Sequence, residues 1–127
     1  MRREIYARAL ALRPPGDALF TDVLNLAVSL HETGRYAEAK SLLRKQLIEA
    51  RRALGTADTT YMKLRWIYAT CLYDHDGASG DDEVEAVAIL EELSSTARRV
   101  LGPNNPITTG IQRSLEKAKI PSLVIRT

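Results

Sequence analysis

The stretch LNLAVSLHETGRYAEAKSLLRKQL, residues 24–47, decides how this chain folds. With Phe20 and Val23 just before it, Leu24, Ala27 and Leu30 recur at three- and four-residue steps, the spacing of one apolar helical face. Gly34 breaks that spacing at a turn. A second stripe follows at the same steps through Ala39, Leu42, Leu43, Leu47, Ala50 and Leu54, and Gly55 suits its C-terminal end. The stretch therefore reads as two amphipathic helices joined by a tight turn.

Outward from this unit the chain repeats itself. Leu54-Gly55 and Leu101-Gly102 lie 47 residues apart. The same offset lays Glu38 on Glu85, Ala39 on Ala86, Leu42-Leu43 on Ile89-Leu90, and Ala50-Arg51-Arg52 on Ala97-Arg98-Arg99. An offset of 42 lays Leu12 on Leu54, Phe20 on Met62, Leu24 on Trp66, Ala27 on Ala69 and Leu30 on Leu72. The five extra residues fit in the loop DHDGASGDD, residues 74–82, where they disturb no helix. Self-similarity at such a period marks stacked repeats. The second unit ends at Gly102-Pro103, since proline cannot continue the helix. A last helix, residues 106–119, opens a third unit, and Pro121 is expected to stop it, leaving residues 121–127 as a tail whose placement the sequence leaves open. Small residues at Ala27, Ala39, Ala69 and Ala86 allow close helix approach. One pair cannot bury both faces, so pairs are expected to pile into an array with a concave side.

Composition agrees and narrows the function. The chain has 127 residues, 45% hydrophobic and 6% aromatic, enough for one helical domain. Formal net charge is +2, which implies no polyanionic partner. The charges are segregated, however: residues 35–65 hold eight Lys/Arg against three Asp/Glu, and residues 74–92 hold eight acids and no Lys/Arg. Such blocks can steer a charged ligand or form solvated faces. The single cysteine, Cys71, excludes an internal disulfide and a cysteine-based zinc site, and it lies among apolar helical residues as a buried inert thiol would. No apolar run nears the ~20 residues that cross a bilayer. The basic start MRREIYARALALR lacks the serines of a mitochondrial presequence, so the expectation is a cytoplasmic protein with no membrane partner.

The segments at 24–47 and 51–73 (RRALGTADTTYMKLRWIYATCLY) resemble tetratricopeptide repeats of the kinesin-light-chain type, as do GRYAEA at 34–39 and the turn LGPNNP at 101–106. The resemblance spans roughly residues 1–119. It implies an all-α, right-handed superhelical array of antiparallel helix pairs with about six helices. On this reading residues 1–120 form the repeat domain, with a half repeat at 1–13, repeats at about 14–55 and 56–102, and the terminal helix at 106–119. Gln46, the proline-free turn LGTADT at 54–59 and Glu116 depart from the family pattern. Because EIYARALALR, residues 4–13, resembles the back half of a repeat, the chain is expected to be a fragment or to have a misassigned start.

The resemblance also implies that the first helix of each pair lines the concave side and that the protein is a scaffold for a peptide or partner protein, not an enzyme. Carried over by position, the lining residues are Thr21, Leu24, Asn25, Val28 and His31, then Lys63, Trp66, Ile67, Thr70 and Tyr73, then Arg113, Ser114 and Lys117. Of these, Asn25, Val28, Lys63, Trp66, Ile67, Thr70, Arg113 and Lys117 are the peptide-binding candidates. An asparagine amide both donates and accepts, which suits an extended backbone. Lys63, Arg113 and Lys117 would favour an acidic ligand. Trp66 shares the stripe of Met62 and Ala69, so inter-helix packing competes with ligand contact there. The alternative function is a self-associating or regulatory module cut from a larger protein, with a second copy as partner.

Other chemistries find little support. DHDGASGDD offers carboxylates, but Ala78 stands where a calcium loop needs a ligand and Gly77 is displaced. His31 and His75 are too few for a metal site, so no metal and no cofactor are expected. No nucleophile with an adjacent base, phosphate-cradling loop or paired acid and base is present. The five tyrosines fall at helical spacings that suit packing better than base stacking, so no nucleic-acid partner is expected.

Overall fold

Gly34 ends the first helix as its sequence position demands. Its φ is +78°, a region open to glycine, and the chain closes there with two reversed bonds, Arg35 N–H to the Leu30 carbonyl at 2.8 Å and Gly34 N–H to that of His31 at 3.1 Å. The computed structural model describes residues 17–74 and 80–126. Among these residues there are five α-helices and no strand: α1 (Asp17–Glu32), α2 (Tyr36–Leu54), α3 (Thr59–Tyr73), α4 (Gly80–Leu101) and α5 (Pro106–Arg126). The expected half repeat at 1–13, the sixth helix, lies outside the described residues.

The later starts are capped by side chains. Asp58 Oδ1 accepts the Tyr61 N–H at 3.0 Å before α3, and Asn105 Oδ1 accepts the Ile107 N–H at 2.8 Å before α5. Pro106 opens α5, at a position whose N–H would have no helical partner anyway. Asp81 and Asp82, expected in the acidic loop, fall in the first turn of α4 instead, where carboxylates complement the positive helix end. At the other end α5 runs through Pro121 to Arg126, so the expected stop at residue 119 and the separate tail do not match the backbone. Proline removes one ladder bond, and a helix can bridge that loss when the bonds on either side hold.

The repeat offsets predict burial position by position. Phe20 and Met62 are buried, as are Ala27 and Ala69, and Leu30 and Leu72. Ala39 with Ala86, Leu43 with Leu90, and Ala50 with Ala97 are all fully buried, while Arg51-Arg52 and Arg98-Arg99 are all exposed. Gly55 and Gly102, the matching C-caps, have φ of +83° and +92°. Each fully buried leucine contributes about 1.5–3 kcal/mol. The four inter-helix alanines contribute by having no side chain to hold the helices apart.

Packing runs in a fixed order. α1 lies against α2 and α3, α3 against α2, α4 and α5, and α5 against α4. The backbones of α2 and α4 do not meet. The first helices of successive pairs thus form a continuous row while the second helices spread apart, which curves the stack and leaves its inner side to α1, α3 and α5. Along residues 106–119 of α5 the buried side chains, Thr108, Ile111, Leu115 and Ala118, share one face. The opposite face carries exposed Arg113, Glu116 and Lys119.

The segregated charges meet across α3. Lys40 of α2 lies 3.9 Å from Asp82 of α4, and Arg65 of α3 pairs with Glu92 of α4. Between them Arg44 donates to the Tyr68 hydroxyl at 3.1 Å, and that hydroxyl donates to Glu85 at 3.3 Å. Burial is the main force pushing the Tyr68 hydroxyl above its ordinary range, keeping it protonated as the link between the two charges. Part of each charge block therefore neutralises the other inside the molecule.

Candidate functional site

Sequence periodicity puts Leu24, Asn25, Val28, Ser29 and Glu32 on one side of α1, since steps of three and four residues return to the same face. On α3 the same steps put Lys63, Trp66, Ile67 and Thr70 on one side. The structure brings these two rows to opposite walls of an open hollow of about 570 Å³ between α1 and α3. Six of the eight peptide-binding candidates, Asn25, Val28, Lys63, Trp66, Ile67 and Thr70, line it. Ser29 and Glu32 were missed, although both continue the step from Asn25.

The remaining two candidates are elsewhere. Arg113 lines a separate hollow of about 350 Å³ between α4 and α5, with Arg98, Thr109 and Gln112. Lys117 is exposed, with its Nζ 4.0 Å from Asp74 Oδ1. The other oxygen of that carboxylate accepts a hydrogen bond at 3.2 Å from Nε2 of His31, whose ring also stands edge-on to Tyr36 at 5.4 Å. His31, Asp74 and Lys117 thus tie α1, α3 and α5 together at one end of the inner side.

Trp66 serves two surfaces. One edge faces the hollow, while the six-membered ring packs over Gly110 of α5 so closely that a Cβ there would stand 2.5 Å from it. The indole N–H donates to Ser114 Oγ at 2.8 Å. Packing and hollow lining, posed as alternatives by the sequence, coexist because the bicyclic ring is wide enough to do both. Ser114, a lining candidate, acts here as the anchor for that ring. The wall is consequently preset before any ligand arrives.

Charge on the hollow is mixed. Lys63 is exposed near the N-terminal end of α3, and Glu32 is exposed at the C-terminal end of α1. Among the described residues neither has an ion-pair partner. The apolar side chains Leu24, Val28, Trp66 and Ile67 lie between them.

Cys71 is fully buried behind the hollow, and burial pushes its thiol up to about 12, which holds it protonated and unreactive. Among the described residues no three His, Cys, Asp or Glu side chains converge as a metal site needs, and residues 75–79 of the acidic loop lie outside them. No described helix is long and apolar enough to cross a membrane.

Residues 24–59 match a family model described as tetratricopeptide repeat. They take in most of α1, all of α2 and the turn into α3. Searches of curated proteins and of solved structures found no match.

Proposed function

We propose that this chain, whose residues 24–59 match the tetratricopeptide repeat, a repeat that generally mediates contacts between proteins, is a non-catalytic scaffold that binds a segment of a partner protein in the groove between α1 and α3. The observation that carries this reading is the hollow itself: six candidates named from sequence line its two walls, with an apolar middle and polar ends. Asn25 would hold the partner's backbone, with its amide both donating and accepting. Leu24, Val28, Trp66 and Ile67 would take apolar side chains, and Lys63 an acidic one. The LGPNNP turn at 101–106 supports placing the repeats in the kinesin-light-chain type.

A displayed library of random heptapeptides tests the reading. Selected peptides should shift the fluorescence of Trp66, the only tryptophan in the chain. Their affinity should fall at least about tenfold in Asn25→Ala/Ile67→Ser, the loss expected when a buried hydrogen bond and an apolar contact go together. Arg99→Ala, on the opposite surface, should leave affinity unchanged. Peptides that ignore the first variant and lose affinity with the second would refute the groove.

A further inference from the structure

We infer that the groove is electrically graded along its length, and that its partner is an extended segment with an acidic residue and a basic residue about five positions apart, flanking apolar ones. This rests on the groove reading and adds the charge order of the ligand. α1 and α3 run parallel, because each is antiparallel to α2, and the His31–Asp74 hydrogen bond ties their C-terminal ends together. That contact also sets the register: Glu32, next to His31, stands level with Asp74. Lys63 is eleven residues earlier on α3, which at the rise of an α-helix puts it about 16 Å away along the groove. An extended chain covers about 3.3–3.6 Å per residue, so about five residues bridge the two charges.

Each end is reinforced. The N-terminal ends of α1 and α3 add partial positive charge on the Lys63 side, and their C-terminal ends add partial negative charge on the Glu32 side. Asp74 sits at the negative end too, but His31 and Lys117 already engage it, whereas Glu32 has no ion-pair partner among the described residues and is open to a ligand. Glu32 is also misplaced for folding alone, since a carboxylate at a helix C-terminus opposes the dipole. Its position is explained by a cation that comes from outside. Of the three cations expected to favour an acidic ligand, Lys63 lines this groove, whereas Arg113 lines another hollow and Lys117 lies beside Asp74.

Four hexapeptides with the same apolar middle form the test. Their first and sixth residues are acidic/basic, basic/acidic, both acidic or both basic, and binding is read from Trp66 emission at low salt. The unmodified protein should bind one of the two mixed peptides best, by about two- to fivefold over each like-charged peptide, the range of an exposed ion pair. Lys63→Glu should shift the preference to the doubly basic peptide, and Glu32→Lys to the doubly acidic one. The double exchange should favour the mixed peptide of opposite order. Glu32→Gln should weaken the mixed peptide without lowering the melting temperature, which a merely structural carboxylate would not do. Tightest binding of the doubly acidic peptide by the unmodified protein, still lost in Asn25→Ala, overturns the gradient and leaves the groove standing. Failure of all four to bind at millimolar concentration overturns both.

Discussion

Replacing Gly110 by alanine should destabilise this protein, although alanine is the better helix former. Within α5 the exchange gains about 0.5–1 kcal/mol from backbone entropy. Against that, the new Cβ would stand 2.5 Å and 2.9 Å from two ring carbons of Trp66, closer than carbon atoms approach. Moving a packed ring aside costs about 1–3 kcal/mol. Any such move also strains the indole hydrogen bond to Ser114, worth about 0.5–1.5 kcal/mol. The balance is a loss of about 2 kcal/mol, which in a chain of this size lowers Tm by roughly 8 °C. Urea unfolding followed by far-ultraviolet circular dichroism measures it in either background, and the native Trp66 emission should itself shift as the ring leaves its seat. The decisive control is Trp66→Leu, which removes the ring. In that background Gly110→Ala should cost nothing or stabilise by up to about 1 kcal/mol, so the two changes couple strongly. If Gly110→Ala stabilises both backgrounds alike, Trp66 does not rest on Gly110 and the preset wall of the groove is lost with it.

Other parts of the structure make their own predictions. Tyr68→Phe removes the hydroxyl between Arg44 and Glu85 and should cost about 0.5–1.5 kcal/mol by denaturant titration, with Arg44→Ala adding little once the hydroxyl is gone. Ala69→Leu, at a fully buried position, should cost at least about 1–3 kcal/mol by overpacking, whereas Ala37→Leu on an exposed face of α2 should stay within about 0.5 kcal/mol. Cys71 should resist thiol reagents in the native protein and react on unfolding; rapid labelling of the folded chain would contradict its burial. Because burial raises that thiol to about 12, its contribution to stability is intact below the ordinary thiol range. It should erode as pH climbs from about 8.5 toward 12, and Cys71→Ala should lack that alkaline loss.

The fold was legible where a repeat tests itself. Ala39 and Ala86 could each be an accident of composition, but the same 47-residue step also pairs Leu43 with Leu90 and Ala50 with Ala97, and all six are buried. Two departures came from reading local signals alone. Pro121 suggested a helix stop, yet the cost of one missing bond is small beside the cooperative ladder on either side. The run of acids at 74–82 looked like loop, but Asp81 and Asp82 belong to a helix start that attracts carboxylates.

The candidate site was half legible, for a reason that lies in geometry. Helical steps identify which residues of α1 or α3 share a side, and the resemblance to tetratricopeptide repeats implied the side bearing Asn25 with Val28 and Trp66 with Thr70. What stands across from them depends on how three helices meet, and no single-helix period contains that. Arg113 has the right position within α5, but α5 follows the last described pair, and its outward side faces a different hollow from the one between α1 and α3. The same argument applies to charge. A count of Lys and Arg on the inner helices suggested a basic groove, while pairing across helices takes Lys117 to Asp74, and Lys40, Arg44 and Arg65 toward the acids of α4. Among the described residues, what a ligand would meet is the charge left after that pairing, Lys63 at one end and Glu32 at the other. On the proposed reading of the groove, specificity is set by the charges that folding leaves unmatched, and a sequence reveals those only once its own ion pairs have been subtracted.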